Sequence, residues 1–253
     1  MEIVNTETNL TKCKHCGAAL NEADKFCGNC GKWVEEIVPA HHHSDVFERL
    51  SPVLLYYFIT LILLSVYKFT DTFPQGFDGM LAVSVIDIVI VIIFWINNSS
   101  EIKPLFSFAG FRFKIALLTI VGALIGSVCI SFLADLIQVS ISDDVFYNPY
   151  LFEGTPFPFL ISILFICMQP AIFEEVAFRG FLFNNLQKVS SSIGAVYITS
   201  FVFGIIHLAL ISMLWLVPIG LAFAFLRMRY NTLWYGIIGH FTYNLGITLL
   251  EFL

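Results

Sequence analysis

Charge is scarce in this chain. Only 13% of its 253 residues are Asp, Glu, Lys or Arg, where a soluble globular domain carries about 25%. The scarcity is uneven. Residues 1–51 hold five Lys/Arg and eight Asp/Glu, and the remaining 202 residues hold eight and eleven. From Ile193 to Leu226 there is no charged residue at all. An excess of basic charge is also lacking. The formal net charge of −6 gives no reason to expect nucleic acid, and the first 51 residues, net −3, disfavour DNA binding by any module there. There is no H-E-x-x-H, the helical zinc-protease pattern. Met1 to Leu10 lack an apolar core, so no secretory leader is expected there.

What fills the chain instead is apolar: 58% hydrophobic residues, 27 of them Phe, and a mean hydropathy of +0.83. The composition is that of an all-α polytopic membrane protein, with Phe serving lipid-facing and core surface. A boundary near Ser51 separates a polar N-terminal segment from a lipid-soluble body.

The polar segment carries Cys13-Lys-His-Cys16-Gly17 and Cys27-Gly-Asn-Cys30-Gly31, a C-x2-C-x10-C-x2-C pattern. Two thiolates two residues apart reach one ion from a tight turn, and two such turns close the tetrahedral site that structural Zn2+ prefers. Glycine after each second cysteine permits positive φ where the turn tightens. Residues 1–33 therefore read as a small zinc ribbon with metal ligands Cys13, Cys16, Cys27 and Cys30, and residues 34–51, with the run His41-His42-His43, as a linker. The alternative, two disulfides, requires an oxidising compartment. A ribbon facing the cytoplasm would be suited to a protein partner.

Seven apolar spans follow, each near the 17–25 residues that cross about 30 Å of hydrocarbon: 52–69, 79–96, 113–135, 157–183, 192–210, 212–227 and 232–252. The fifth and sixth are the least distinct. Residues 193–226 as one helix would extend about 51 Å, too long for a bilayer, so two passes with a tight turn near Leu210–Met213 are expected; a re-entrant segment is the other option. Lys103, Arg112, Lys114, Lys188, Arg227 and Arg229 collect in loops on one side, whereas loop 136–156 has Asp143, Asp144 and Glu153 and no Lys or Arg. The positive-inside rule then puts the N-terminus in the cytoplasm and the C-terminus outside, with Lys68 a mild exception. A reducing cytoplasm also favours zinc over disulfides.

Ionisable residues at the centre of a bilayer cost roughly 2.5–3.5 kcal/mol on insertion scales and mark functional sites. Five occur late in the chain: Glu174, Glu175, Arg179, His207 and His240. Arg179 is four residues after Glu175, so the two share a helix face and can pair. That leaves Glu174, about 100° around the helix, as the unmatched charge. A carboxylate removed from water is a stronger base, which suits Glu174 to general-base work if a histidine or a bound water shares its proton. Pro170, four residues before Glu174, removes one intrahelical hydrogen bond. His240 and Asn244, at i and i+4, can face one cavity and donate to a developing oxyanion. A carboxylate, histidines and a donor pair on three helices suit amide hydrolysis by activated water, with no Ser or Cys nucleophile.

Each of these residues also has a structural explanation: Glu175–Arg179 as a packing ion pair, the histidines as hydrogen-bonded core groups, Asn244 as an interhelical amide. Asp87, within an apolar run, reads as structural or cavity-lining. Cys129 and Cys167 read as small hydrophobes. His207 is in tension with the rest, because the span boundaries put it too deep to meet Glu174 and His240; either the fifth span starts later or the region is re-entrant.

The order Glu174-Glu175-Val-Ala-Phe-Arg179, Phe203-Gly-Ile-Ile-His207 and His240-Phe-Thr-Tyr-Asn244 resembles the CPBP family of intramembrane proteases, which includes type II CAAX prenyl endopeptidases and bacterial abortive-infection and bacteriocin-immunity proteins. The resemblance covers about residues 155–250. It implies an intramembrane endopeptidase in which Glu174 activates water assisted by His207, His240 and Asn244 stabilise the oxyanion, and Glu175 and Arg179 hold the arrangement. The substrate would be a membrane-associated peptide or protein, prenylated or not. Whether an active-site metal takes part is open; the metal-free glutamate mechanism is preferred. The competing reading is a non-catalytic membrane adaptor that binds a cytoplasmic partner through the ribbon.

Overall fold

The computed structural model describes residues 11–13, 16–20, 43–141 and 148–252. Two units partition the chain, Met1–His41 and His42–Leu253.

In the first unit, β1 (Thr11–Lys12) pairs antiparallel with β2 (Ala19–Leu20). The turn between them closes on Cys13, whose N–H donates to the Ala18 carbonyl at 2.8 Å and whose carbonyl accepts from Gly17 N–H at 2.8 Å. Gly17 has φ 72°, the left-handed conformation that glycine adopts without penalty. This half therefore has the expected turn after its second cysteine. Cys27, Cys30 and linker residues 34–42 lie outside the described residues.

Among the described residues of the second unit, seven long helices follow one another: α1 (His43–Phe69), α2 (Phe77–Asn97), α3 (Phe113–Ile141), α4 (Pro158–Gln187), α5 (Ser192–Ile206), α6 (Met213–Tyr230) and α7 (Trp234–Phe252). Among the described residues, five are long and apolar enough to cross a membrane: most of α1, then α2, most of α3, α4 and α6. At 15 residues, α5 covers only about 22 Å. The 19-residue α7 carries His240 and Asn244, whose polarity dilutes its apolar character. Outward faces of these helices are lined by large hydrophobics such as Leu55, Ile62, Ile125, Phe132 and Leu164, as lipid contact demands.

Boundaries depart from the expectation in instructive ways. α1 begins at His43, inside the stretch expected to be linker. α4 continues to Gln187, four residues past the expected end. α5 begins where expected, at Ser192, but stops at Ile206. The chain reverses through residues 207–212, slightly earlier than the expected turn, with Leu208 at φ 53°. Lys68, the exception to the charge rule, donates from the end of α1 to the Leu208 carbonyl at 2.7 Å, so its charge is used to hold that turn.

α4 is the central helix. Its stretch Glu175–Leu182 touches α2, α5, α6 and α7, and every residue from Glu175 to Leu182 is buried. Elsewhere α7 packs along α3, α5 against α6, and α1 against α2. Two segments of α4, Ile163–Met168 and Glu175–Leu182, are wound as π-helix. Such i→i+5 turns are rare and concentrate at functional sites. The first precedes Pro170, which has no N–H to return to the Ile166 carbonyl four residues back.

Candidate active site

α4, α5 and α7 bring the three motifs together. Glu175 and Arg179, both 0% exposed, form the ion pair expected from their spacing, with Arg179 Nη1 2.9 Å from Glu175 Oε1. Arg179 Nη2 donates to the Gly220 carbonyl of α6 at 3.3 Å. Its guanidinium also lies 4.4 Å from the centre of the Phe203 ring, a cation–π contact of substantial strength when desolvated. Phe203 thus gains a physical role that its motif position alone does not explain.

His240 of α7 joins both carboxylates. Its Nδ1 is 3.3 Å from Glu175 Oε1, and its Nε2 is 4.0 Å from Glu174 Oε2. A carboxylate only accepts, so the first contact fixes the Nδ1–H tautomer and turns Nε2 toward Glu174. At 4.0 Å the second pair is too far apart for a direct hydrogen bond and close enough for an intervening water. The two carboxylates differ in access: the Glu174 side chain is 27% exposed and that of Glu175 0%. Glu174 Oε2 has no hydrogen-bond partner among the described residues. The unmatched carboxylate inferred from the helical spacing is therefore the more exposed of the two, although its Oε2 is itself buried.

His207 ends α5. Its Nδ1 lies 2.7 Å from the Phe203 carbonyl, which again places the proton on Nδ1 and frees Nε2. Its ring meets Phe203 edge-on at 4.8 Å, and His240 meets the same Phe203 ring at 6.1 Å. The depth conflict is resolved by the length of α4 and not by a later start of α5. Glu174 is thirteen residues from the end of α4 at Gln187 and His207 fifteen residues from Ser192, about 20 and 22 Å at a helical rise. The two imidazoles flank one phenyl ring, but no hydrogen bond or ion pair joins His207 to Glu174 among the described residues; the partner of Glu174 is His240.

Asn244 Nδ2 donates to the Ile166 carbonyl at 2.8 Å. That carbonyl is the one Pro170 cannot serve, so proline in α4 and asparagine in α7 are two halves of one interhelical bond. One N–H of the amide remains for other use.

Several contributing residues escape motif reading. A Cβ at Gly236 would run into Glu175 Oε2, so only glycine lets α7 approach the buried pair. Gly236 is four residues before His240 on the same face, the signal that could have found it. Phe223 of α6 stacks on His240 at 5.8 Å. Asp87 of α2 and Tyr56 of α1 lie within electrostatic reach of Glu174, and Asp87 Oδ1 is buried without a partner among the described residues. Cys167 lies 3.4 Å from Thr248 Oγ1 in packed core.

Among the described residues, no group of three His, Cys, Asp or Glu side chains is arranged to hold a metal ion; Glu175 Oε1 is engaged by Arg179 and His240, while Glu174 Oε2 and Glu175 Oε2 have no hydrogen-bond partner there.

Residues 156–246 match the family described as type II CAAX prenyl endopeptidase Rce1-like. A Bacillus subtilis (strain 168) protein named "Putative membrane peptidase YdiL" is 32% identical over 80 residues, which is 32% of this chain and 33% of that protein. The chain thus aligns with about a third of the length of that relative. No solved structure matches. The matched region contains Glu174-Glu175-x-x-x-Arg179, Phe203-x-x-x-His207 and His240-x-x-x-Asn244, and over it the chain is similar to the Rce1-like family.

Proposed function

We propose that this chain is an intramembrane endopeptidase that hydrolyses a peptide bond in a membrane-associated peptide or protein with water activated by Glu174. The observation that carries the reading is the setting of Glu174. It is the more exposed member of a carboxylate pair, inside an apolar bundle, with a buried, unpartnered oxygen 4.0 Å from a histidine Nε2. A water held between them loses a proton to Glu174 as its oxygen attacks the peptide carbonyl carbon. The resulting oxyanion takes a hydrogen bond from the free N–H of Asn244. Collapse breaks the C–N bond, and the proton on Glu174 passes to the leaving amine, giving a carboxylate and an amine.

His240 is the group that shares the proton of Glu174, in place of His207, because it is the histidine that faces this carboxylate. Glu175 and Arg179 fix the ring of His240 and do not react. The mechanism is of the glutamate type, with Glu174 as the base.

Residues 1–33 act as a zinc ribbon held by Cys13, Cys16, Cys27 and Cys30, and residues 34–42 join it to the helical body that starts with α1 at His43. The N-terminus is cytoplasmic, where the ribbon meets a protein partner. The substrate is met on that side, a prenylated C-terminal peptide being one candidate. The test is substrate trapping. Glu174→Gln should retain in membranes a set of proteins that the wild-type chain cleaves. If wild type leaves every retained protein intact, the proteolytic reading is wrong.

A further inference from the structure

A buried guanidinium without a carboxylate stands at the end of α6 remote from the His207 turn. Arg227 is 3% exposed. Its Nε donates to the Arg179 carbonyl at 3.0 Å, Nη1 to Asn231 Oδ1 at 2.7 Å and Nη2 to Asn184 Oδ1 at 2.6 Å. Its plane lies over Phe183, 5.4 Å from the ring centre. All of these acceptors are neutral, and among the described residues no carboxylate lies within ion-pair distance of Arg227. A buried cation without a counter-ion is costly. The carbonyls at the end of α6 supply only partial negative charge. Two of the five guanidinium N–H groups remain unused.

Beside Arg227 is a shallow, open cavity of about 330 Å³ whose polar lining is Arg227, Lys188, Glu101, Asn184, Gln187 and Asn231. Lys188 is already matched, with its Nζ 2.7 Å from Glu101 Oε1. The lining therefore keeps one positive charge in excess, that of Arg227. The site is held rigid from below. Asn231 adopts φ 51° and caps α6 with its N–H on the Arg227 carbonyl at 2.9 Å, a left-handed conformation uncommon outside glycine.

The depth of the cavity identifies the occupant. It lies where α4 ends at Gln187, α6 ends at Tyr230 and α7 starts at Trp234. Trp234 stacks on Phe108 at 4.7 Å and donates its Nε1–H to the Phe106 carbonyl at 2.8 Å. Helix ends with tryptophan beside them mark the headgroup level of a bilayer. We propose that the cavity binds the phosphate of an anionic phospholipid headgroup, with Arg227 as the buried donor and Lys188 at the rim.

A phosphate oxyanion is the recognised chemistry, and both a lipid headgroup and free phosphate carry it. The experiment uses the full chain in phosphatidylcholine nanodiscs. Phosphatidylglycerol in one arm and inorganic phosphate in the other are titrated, and the number bound per chain is read by native mass spectrometry. One phosphatidylglycerol should be retained saturably. Arg227→Gln should weaken it about tenfold, as the loss of a charge-assisted bond implies, and Lys188→Gln severalfold. If Arg227→Gln does not insert, Lys188→Gln decides, because its side chain is part-exposed at the rim. Retention of phosphatidylglycerol no tighter than phosphatidylcholine, or unchanged in the inserted variants, would overturn the proposal. So would saturable binding of inorganic phosphate, or of a peptide with a free C-terminal carboxylate, without that of phosphatidylglycerol.

Discussion

Replacing Arg179 by methionine removes the charge and keeps most of the volume. The variant loses Nη1–H to Glu175 Oε1 at 2.9 Å, Nη2–H to the Gly220 carbonyl at 3.3 Å and the contact with Phe203 at 4.4 Å. Because the site stays filled, the loss is electrostatic and little of it comes from a cavity. Glu175 stays 0% exposed, with His240 Nδ1 at 3.3 Å as its remaining partner. Removing one member of a buried ion pair costs about 3–5 kcal/mol, whereas replacing both by neutral groups is often neutral. Arg179→Met should therefore destabilise the bundle by about 3–5 kcal/mol, and adding Glu175→Gln should return about 2 kcal/mol or more. Reversible unfolding by SDS in mixed micelles measures both. A single variant costing under about 1 kcal/mol, or a double variant no more stable than the single, would refute the view of α4 as a helix organised around a desolvated pair.

Asn244→Ala should cost about 1–3 kcal/mol by leaving the Ile166 carbonyl unserved; Pro170→Ala in that background should restore part of it in the same unfolding assay, since residue 170 then has an N–H. Gly236→Ala, whose Cβ would sit 3.0 Å from Glu175 Cδ, should cost about 1–3 kcal/mol by overpacking and abolish most cleavage; full activity would mean that Glu175 has room to move. Elemental analysis should find one zinc per whole chain and none in a chain of residues 42–253, and zinc retained by the shorter chain would contradict a glutamate-type site.

The sequence made the helical body legible because apolar runs separated by basic or acidic loops leave few alternatives in a bilayer. The Glu175–Arg179 pair was legible from its spacing, and Glu174 as the odd charge followed from it. The partnership of Glu174 was not. His207 and His240 are equivalent to any count of residues, and only the crossing of α7 against the π-wound part of α4 decides that His240 faces the carboxylate. The depth of His207 was misjudged because Asn184, Asn185 and Gln187 look like a loop, although they continue α4. Asn185 Nδ2 returns to the Phe181 carbonyl at 2.9 Å and Asn184 accepts from Arg227, so these polar residues are satisfied within the helix end. Gly236 and Arg227 carry no motif, and their significance appears only when the atom opposite each is known.

The most direct test of the central claim is turnover of a trapped substrate by purified protein in lipid vesicles, comparing wild type with Glu174→Gln. Glu174 Oε2 makes no hydrogen bond that the amide would break, so the variant should insert and unfold like wild type. Its cleavage rate should fall about 10²–10⁴-fold, the contribution of a positioned general base. Cleavage at the wild-type rate by a correctly folded Glu174→Gln chain would contradict the account.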